Sequence, residues 1–262
     1  MRIARFKTTG NKTAWGIVQN DVVSEISGDI FSRWKKTDKS FPLAAVTLLA
    51  PLQPLNLIAI GRNYLEHARE GGAAAPAAPL IFLKATTAVT DPGAPIRLPK
   101  IAPTHVDYEA ELAVIIGRSA KDVPEDKALE FVLGYTCAND VSARDCQNHD
   151  AQWARAKSFD TFAPLGPWIE TEFDPRNRNI ALRLNGRLMQ SANTSQMIFS
   201  VPHLISYLSR CMTLAPKTVI LTGTPAGCGF ARTPPVWLRP GDEVAVEIEG
   251  LGNLRNKVEQ AC

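Results

Sequence analysis

The sequence predicts an α+β fold, predominantly β, with a rolled or sandwiched sheet. Two observations carry this. Short strand-like runs recur between glycine- and proline-bearing turns along most of the 262 residues. The helical stretches among them do not alternate as a regular βαβ series, which argues against a doubly wound sheet. With 45% apolar and 21% charged residues, the chain has enough apolar material for one large core or for a core plus a small appendage.

Taken in order, residues 2–6 and 13–18 read as paired strands, with Asn20-Asp21 suited to a turn into Val22-Val23. A short helical stretch is expected around residues 30–34, then a Lys/Asp/Ser loop. Pro51 and Pro54 mark a boundary, so residues 1–50 are expected to form a small β-rich domain and residues 51–262 a larger one. The larger unit opens with a strand at 55–60 that Gly61 ends, a short helix at 63–69 and a Gly/Ala/Pro loop at 71–79. Strands follow at 80–83 and 106–116, a helix at 124–132, a strand at 134–139 and a polar segment to Lys157. Strands near 180–190, a helix at 201–211, a strand at 218–222 and a pair at 243–248 and 254–258 complete the chain.

Bulk properties exclude several classes. The net charge is only +3, and no Lys/Arg block is interleaved with aromatics, so nucleic-acid binding is not expected. No run approaches the roughly 18 apolar residues of a membrane span, and the N-terminus lacks a hydrophobic signal region. Cys137, Cys146, Cys211, Cys228 and Cys262 are odd in number and contain no C-x-x-C, which points to a reducing cytosol. His67, His105, His149 and His203 form no zinc-type pair. A bound metal must therefore be held by oxygen, which favours Mg²⁺, Mn²⁺ or Ca²⁺.

Candidate chemistry begins with Glu109 and Glu111. On a strand, residues i and i+2 share a face about 7 Å apart, and two such carboxylates repel unless a cation or shared proton compensates. A solvated strand face is the alternative. Asp140 adds a third acid, although alone it also suits a turn or helix cap; on a helix it would share a face with Arg144 and Gln147. His67 and Glu70, three apart, are spaced for a hydrogen bond that fixes the imidazole tautomer, and the loop after them suits closure over a site. Lys157 stands in an aromatic-bearing stretch, 156–161, that it shares with Asp160. Residues 221–229 are glycine-rich but lack the Gly-Lys-Ser/Thr ending of a nucleotide loop; their amides suit a carboxylate.

Read in order, Gly61-Arg62-Asn63-Tyr64, His67-x-x-Glu70, Phe82-Leu83-Lys84, Asp107-Tyr108-Glu109-Ala110-Glu111, Asn139 to Asp145, Ala156 to Phe159, Asn193 to Phe199 and Leu221 to Pro225 strongly resemble the fumarylacetoacetate hydrolase family. The resemblance spans residues 55–258. It implies a mixed β-sandwich roll as the catalytic domain, a homodimer, and Mg²⁺ or Mn²⁺ held by Glu109, Glu111 and Asp140. By motif position His67, Glu70 and Lys157 would be catalytic, Thr161 near the metal, and Arg62, Arg144, Gln147 and Thr224 in contact with a small 2-oxo or 1,3-dioxo acid. The short N-terminal segment resembles the leader of bacterial aromatic-degradation isomerases and acylpyruvate hydrolases. Hydrolysis of a C–C bond in an acylpyruvate-like acid is the leading expectation. Oxaloacetate decarboxylation, hydroxyheptadienedioate isomerisation and an idle metal-binding paralogue are the alternatives. The 71–79 loop offers no charged side chain for a distal carboxylate.

Overall fold

A computed structural model describes residues 1–8, 10–102 and 104–261; Cys262 lies outside the described residues. The architecture is the expected strand-rich α+β, built on a large mixed sheet and a smaller five-stranded one. The strand Ala110–Ile116 is buried along its whole length, because Leu112, Val114 and Ile116 face one side and Ala113 and Ile115 the other. It lies between the antiparallel strands Val132–Asn139 and Thr218–Leu221, and the latter pairs in parallel with Asn56–Gly61. The smaller sheet, centred on Asn179–Leu184 and Glu243–Ile248, packs across this region and closes the sandwich over one extensive core.

Residues 1–50 carry a small apolar cluster of their own, Ala4, Phe6, Ala14, Val18 and Val23. Their sheet is nonetheless continuous with the large one, through Ile3 paired to Ile169. Asn20 and Asp21 form the expected turn, with φ of 49° and 60°. The helix expected around residues 30–34 is not formed. Residues 30–32 make a turn, and the supposed loop after it is the strand Trp34–Pro42 at the sheet's outer edge. Lys35, Lys36, Asp38 and Lys39 concealed that strand, yet charges are what an exposed edge requires to resist pairing with another chain.

A strand was also hidden by prolines. Ala163–Glu170 lies centrally, between Arg2–Lys7 and Val132–Asn139, although Pro164 and Pro167 argue against a strand. The pairing is irregular there, with a register shift between Tyr135 and Cys137, so the missing amides are accommodated. The helix Val201–Cys211 forms as expected, with Ser200 capping the His203 amide and Pro202 in its first turn. The expected helix at 124–132 is a 3₁₀ stretch, Glu125–Phe131. No helix among the described residues is long and apolar enough to cross a membrane.

Candidate active site

Two matched interruptions create the acidic centre. The expected single strand at 106–116 is two strands, Val106–Asp107 and Ala110–Ile116, with Tyr108 and Glu109 in the break. The facing chain breaks at the same level. Val106 and Asp107 pair with Ala143 and Ser142, while Ala110 and Glu111 pair with Asn139 and Ala138, leaving Asp140 and Val141 as the link. The Asp140 amide donates to the Glu109 carbonyl at 2.9 Å, and the Asn139 side chain accepts the Glu109 amide at 3.0 Å. Glu109, Glu111 and Asp140 thus converge, each offering an oxygen within 4.8 Å of the others. All three are buried. The shared-helix-face expectation for Asp140, Arg144 and Gln147 fails, because Ser142–Ala143 is extended and the helix starts only at Arg144. Convergence comes from two paired strands instead.

Buried cations surround the acids. The Lys157 ammonium donates to Glu109 Oε2 and Asp140 Oδ2, both at 2.7 Å. Lys84, wholly buried, donates to Asp140 Oδ1. Arg144 donates through Nη2 to Glu109 Oε1 at 2.5 Å and through Nε and Nη2 to Asp107 Oδ2 at 3.2 and 3.1 Å. Burial disfavours the charged form of Glu109, but Lys157 and Arg144 outweigh it and hold its carboxyl far below the ordinary range. Among the described residues no cation bonds Glu111; burial, then the charges of Asp140 and Glu109, push its carboxyl well above the ordinary range despite the nearby Lys157. Four carboxylates thus face three cations, and Glu111 is the one left short. An oxygen-only donor set with one uncompensated acid fits a hard divalent ion, and an anionic substrate arriving with the ion keeps the site near neutrality.

The opposite wall is organised by main-chain amides. The helix Leu65–Glu70 presents His67, whose Nδ1 lies 2.8 Å from Glu70 Oε1. Glu70 Oε2 accepts the Gly227 amide at 2.8 Å. Glu111 Oε2 accepts the Gly223 amide at 2.7 Å, and Asp107 accepts the amides of Gly229 and Phe230 at 2.7 and 3.0 Å. The glycine-rich loop does hold carboxylates, but they are the protein's own. Glycine is required at 223 and 229. Gly223 has φ +96° and a Cβ there would meet Asn63 Cβ at 2.7 Å, and at Gly229 it would meet the Val236 carbonyl at 1.9 Å.

His67, Glu109, Glu111, Asp140, Arg144, Gln147, Lys157, Thr224 and Arg62 all line one cavity of about 340 Å³. Glu70 stands behind His67. Arg144 serves the protein first, since besides the two acids its Nη1 binds Gln147 Oε1 at 2.7 Å, which leaves the Gln147 amide nitrogen as the donor. Thr161 does not belong to the site: its hydroxyl accepts the Arg97 amide at 2.8 Å and its φ is +71°. Arg62, also at positive φ (57°), is exposed with its guanidinium over Trp153.

Three residues were missed by sequence reasoning. Asp107 is buried, bound to Arg144 and three amides; its place two before Glu109 was the available signal. Lys84, the one charge closing an apolar strand, was another. Gln190 gave none: it accepts the Ala110 amide and donates to Thr224 Oγ1 and the Pro225 carbonyl, tying strand to loop.

A strand-sandwich fold carrying a buried oxygen-ligand cluster in a pocket, with a histidine–glutamate pair at its wall, is the architecture of an enzyme class. Residues 56–259 match the family described as Fumarylacetoacetate (FAA) hydrolase C-terminal, and the chain belongs to that family. Residues 1–51 match a second description, Rv2993c-like, N-terminal. Among solved structures, 5-carboxymethyl-2-hydroxymuconate delta-isomerase from Mycobacterium smegmatis is 43% identical over 100% of both chains, with a TM-score of 0.90. The 2-hydroxyhepta-2,4-diene-1,7-dioate isomerase from Mycobacterium marinum is 42% identical, covering 99% of this chain and 98% of that one, with a TM-score of 0.88. Oxaloacetate tautomerase fahd2, mitochondrial, of Xenopus laevis is 46% identical over 81% of this chain and 68% of its own length.

Proposed function

We propose that this chain is a divalent-metal-dependent enzyme that moves a proton beside the 2-oxo group of a small dicarboxylic acid, interconverting keto and enol or dienol forms. One observation carries the reading. A triad of carboxylates short of one cation shares its pocket with an imidazole whose Nδ1 is bound to Glu70, leaving Nε2 for proton transfer. The similarity to proteins named as isomerases and as an oxaloacetate tautomerase supports it.

Glu109, Glu111 and Asp140 would hold the ion. Mg²⁺ or Mn²⁺ there supplies Lewis acidity that lowers the cost of the enol form. Lys157 and the Gln147 amide nitrogen direct donors at the substrate oxygens, and Thr224, fixed by Gln190, adds a hydroxyl. His67 Nε2 takes the proton from the carbon beside the 2-oxo group and returns it, while Glu70 holds the tautomer. Arg62 supplies the charge absent from the 71–79 loop and binds the distal carboxylate. Cys228 offers no nucleophile, because burial and then the charges of Glu109 and Asp107 hold its thiol protonated.

Hydrolysis of an acylpyruvate-like acid is the second reading. It is favoured by a cavity of about 340 Å³, which leaves space for a water of about 30 Å³ beside a small acid; the same histidine would activate that water. The test is a panel with Mg²⁺ or Mn²⁺: enol oxaloacetate, a hydroxydienoate, an acylpyruvate, and oxaloacetate followed for carbon dioxide. Proton transfer on the first two should be fastest. Acylpyruvate cleavage outpacing both would replace this reading with the hydrolase, and a metal-loaded protein inert on all four would make it an idle paralogue.

A further inference from the structure

Behind the imidazole lies a second donor cluster. His67 Nδ1, a Glu70 carboxylate oxygen and Cys228 Sγ lie within 4.8 Å of one another. Nδ1 is 2.8 Å from Glu70 Oε1 and 3.7 Å from Cys228 Sγ. Nitrogen, oxygen and sulfur donors are the set that tetrahedral Zn²⁺ takes, with S···N edges of about 3.6 Å and N···O edges of about 3.3 Å from its bond lengths. The S···N separation already matches. The N···O pair has to open by about 0.5 Å, as expected when an ion replaces the proton between them.

We propose that His67, Glu70 and Cys228 form an inhibitory site for a soft divalent cation such as Zn²⁺ or Cd²⁺, separate from the oxygen-only cluster. The proton balance explains the inhibition. The ion takes the Nδ1 lone pair, so the ring proton moves from Nδ1 to Nε2, and the Cys228 thiol proton leaves to solvent. Nε2, now protonated, no longer accepts a proton from substrate. Softness provides the selectivity: the buried thiol surrenders its proton only to an ion that bonds sulfur strongly, so Mg²⁺ and Mn²⁺ stay with the carboxylates. Gln190 Nε2 lies 3.6 Å from Sγ, so one of the two hydrogens it gives to Thr224 and Pro225 can be shared with the thiolate. His67 lines the main cavity, so the ion arrives by the substrate's route.

The test uses the full chain with its oxygen site saturated by Mg²⁺ and Cd²⁺ as the probe. One equivalent of Cd²⁺ should produce the ultraviolet thiolate-to-metal absorption and abolish turnover, both reversed by a thiol chelator. Cys228→Ser and Cys228→Ala should each weaken Cd²⁺ binding at least about 100-fold, whereas Cys211→Ser, which removes an exposed thiol, should keep the band and the inhibition. The band unchanged in both Cys228 variants, or inhibition relieved by raising Mg²⁺, would overturn the proposal. Only the inhibition rests on His67 being the base. A Cys228-dependent band without inhibition would overturn the inhibitory role and point to that assignment, whereas absence of the band is independent of it.

Discussion

On one side of the pocket Glu109 and Asp140 are held by the side-chain cations Lys84, Lys157 and Arg144; on the other, Glu70 and one oxygen of Glu111 are held by main-chain amides of Gly227 and Gly223. Asp107 joins the two, with Arg144 on one oxygen and loop amides on both. The cationic side settles charge. Each ammonium or guanidinium costs desolvation, and its removal leaves a bare ion in the interior. The amide side settles position, because a peptide donor adds no net charge and is fixed by the path of the chain. On the proposed function, ion affinity should therefore depend on the first side together with Glu111, and proton transfer on the His67–Glu70 pair of the second.

The sharpest break of that division is Glu109→Gln. Lys157 and Arg144 lose their shared anion, so stability should fall by about 3–5 kcal/mol, and divalent ions should no longer bind in calorimetry. A metal-loaded, active variant would remove Glu109 from the ion site. His67→Ala should leave ion affinity and denaturant midpoint near the parent while lowering proton-transfer turnover about 10²–10⁴-fold. It should spare some oxaloacetate decarboxylation, which asks least of a base; equal loss of both activities would reject this division of labour. Asp107→Asn straddles both sides. A loss of about 2–3 kcal/mol is expected, with weaker ion binding and a slower reaction together; an effect on only one would assign Asp107 to that side.

Smaller effects probe geometry alone. Gly223→Ala strains a left-handed residue against Asn63 and should cost about 1–3 kcal/mol in a denaturant titration, with ion stoichiometry kept. Least of all, a thiol reagent at neutral pH should label exposed Cys211 well before Cys137, whose thiol burial pushes up to about 12, or Cys228. Prompt labelling of Cys228 in the native protein would contradict its enclosure behind His67.

Much of the site was legible because its chemistry is local in sequence. His67 with Glu70, and Glu109 with Glu111, were visible as spacings, and apolar periodicity revealed the strands around them. What failed was non-local. The spacing of Asp140 and Arg144 suits one helix, and nothing in residues 140–147 shows that Ser142–Ala143 is claimed by Val106–Asp107. Gln190 lies 80 residues from the amide it accepts. The strand at 163–170 was hidden by prolines that its irregular partner tolerates, and the edge strand at 34–42 by the charges that protect it.

Gly61 and Leu80 are cross-strand partners, so residues 62–79 leave the sheet and rejoin it at one place. That excursion carries Arg62, His67 and Glu70, while the oxygen cluster stands on other strands. A segment closed at its base in this way behaves as a cassette. Transplanting it between homologues would exchange the proposed base and the proposed substrate-reading charge together, provided the recipient keeps a free amide where Gly227 stands and the Thr222 and Phe199 main chain that Asn63 binds, and would leave the three ligand side chains on their own strands. New substrate ranges could then evolve by replacing eighteen contiguous residues (62–79) rather than by rebuilding the fold.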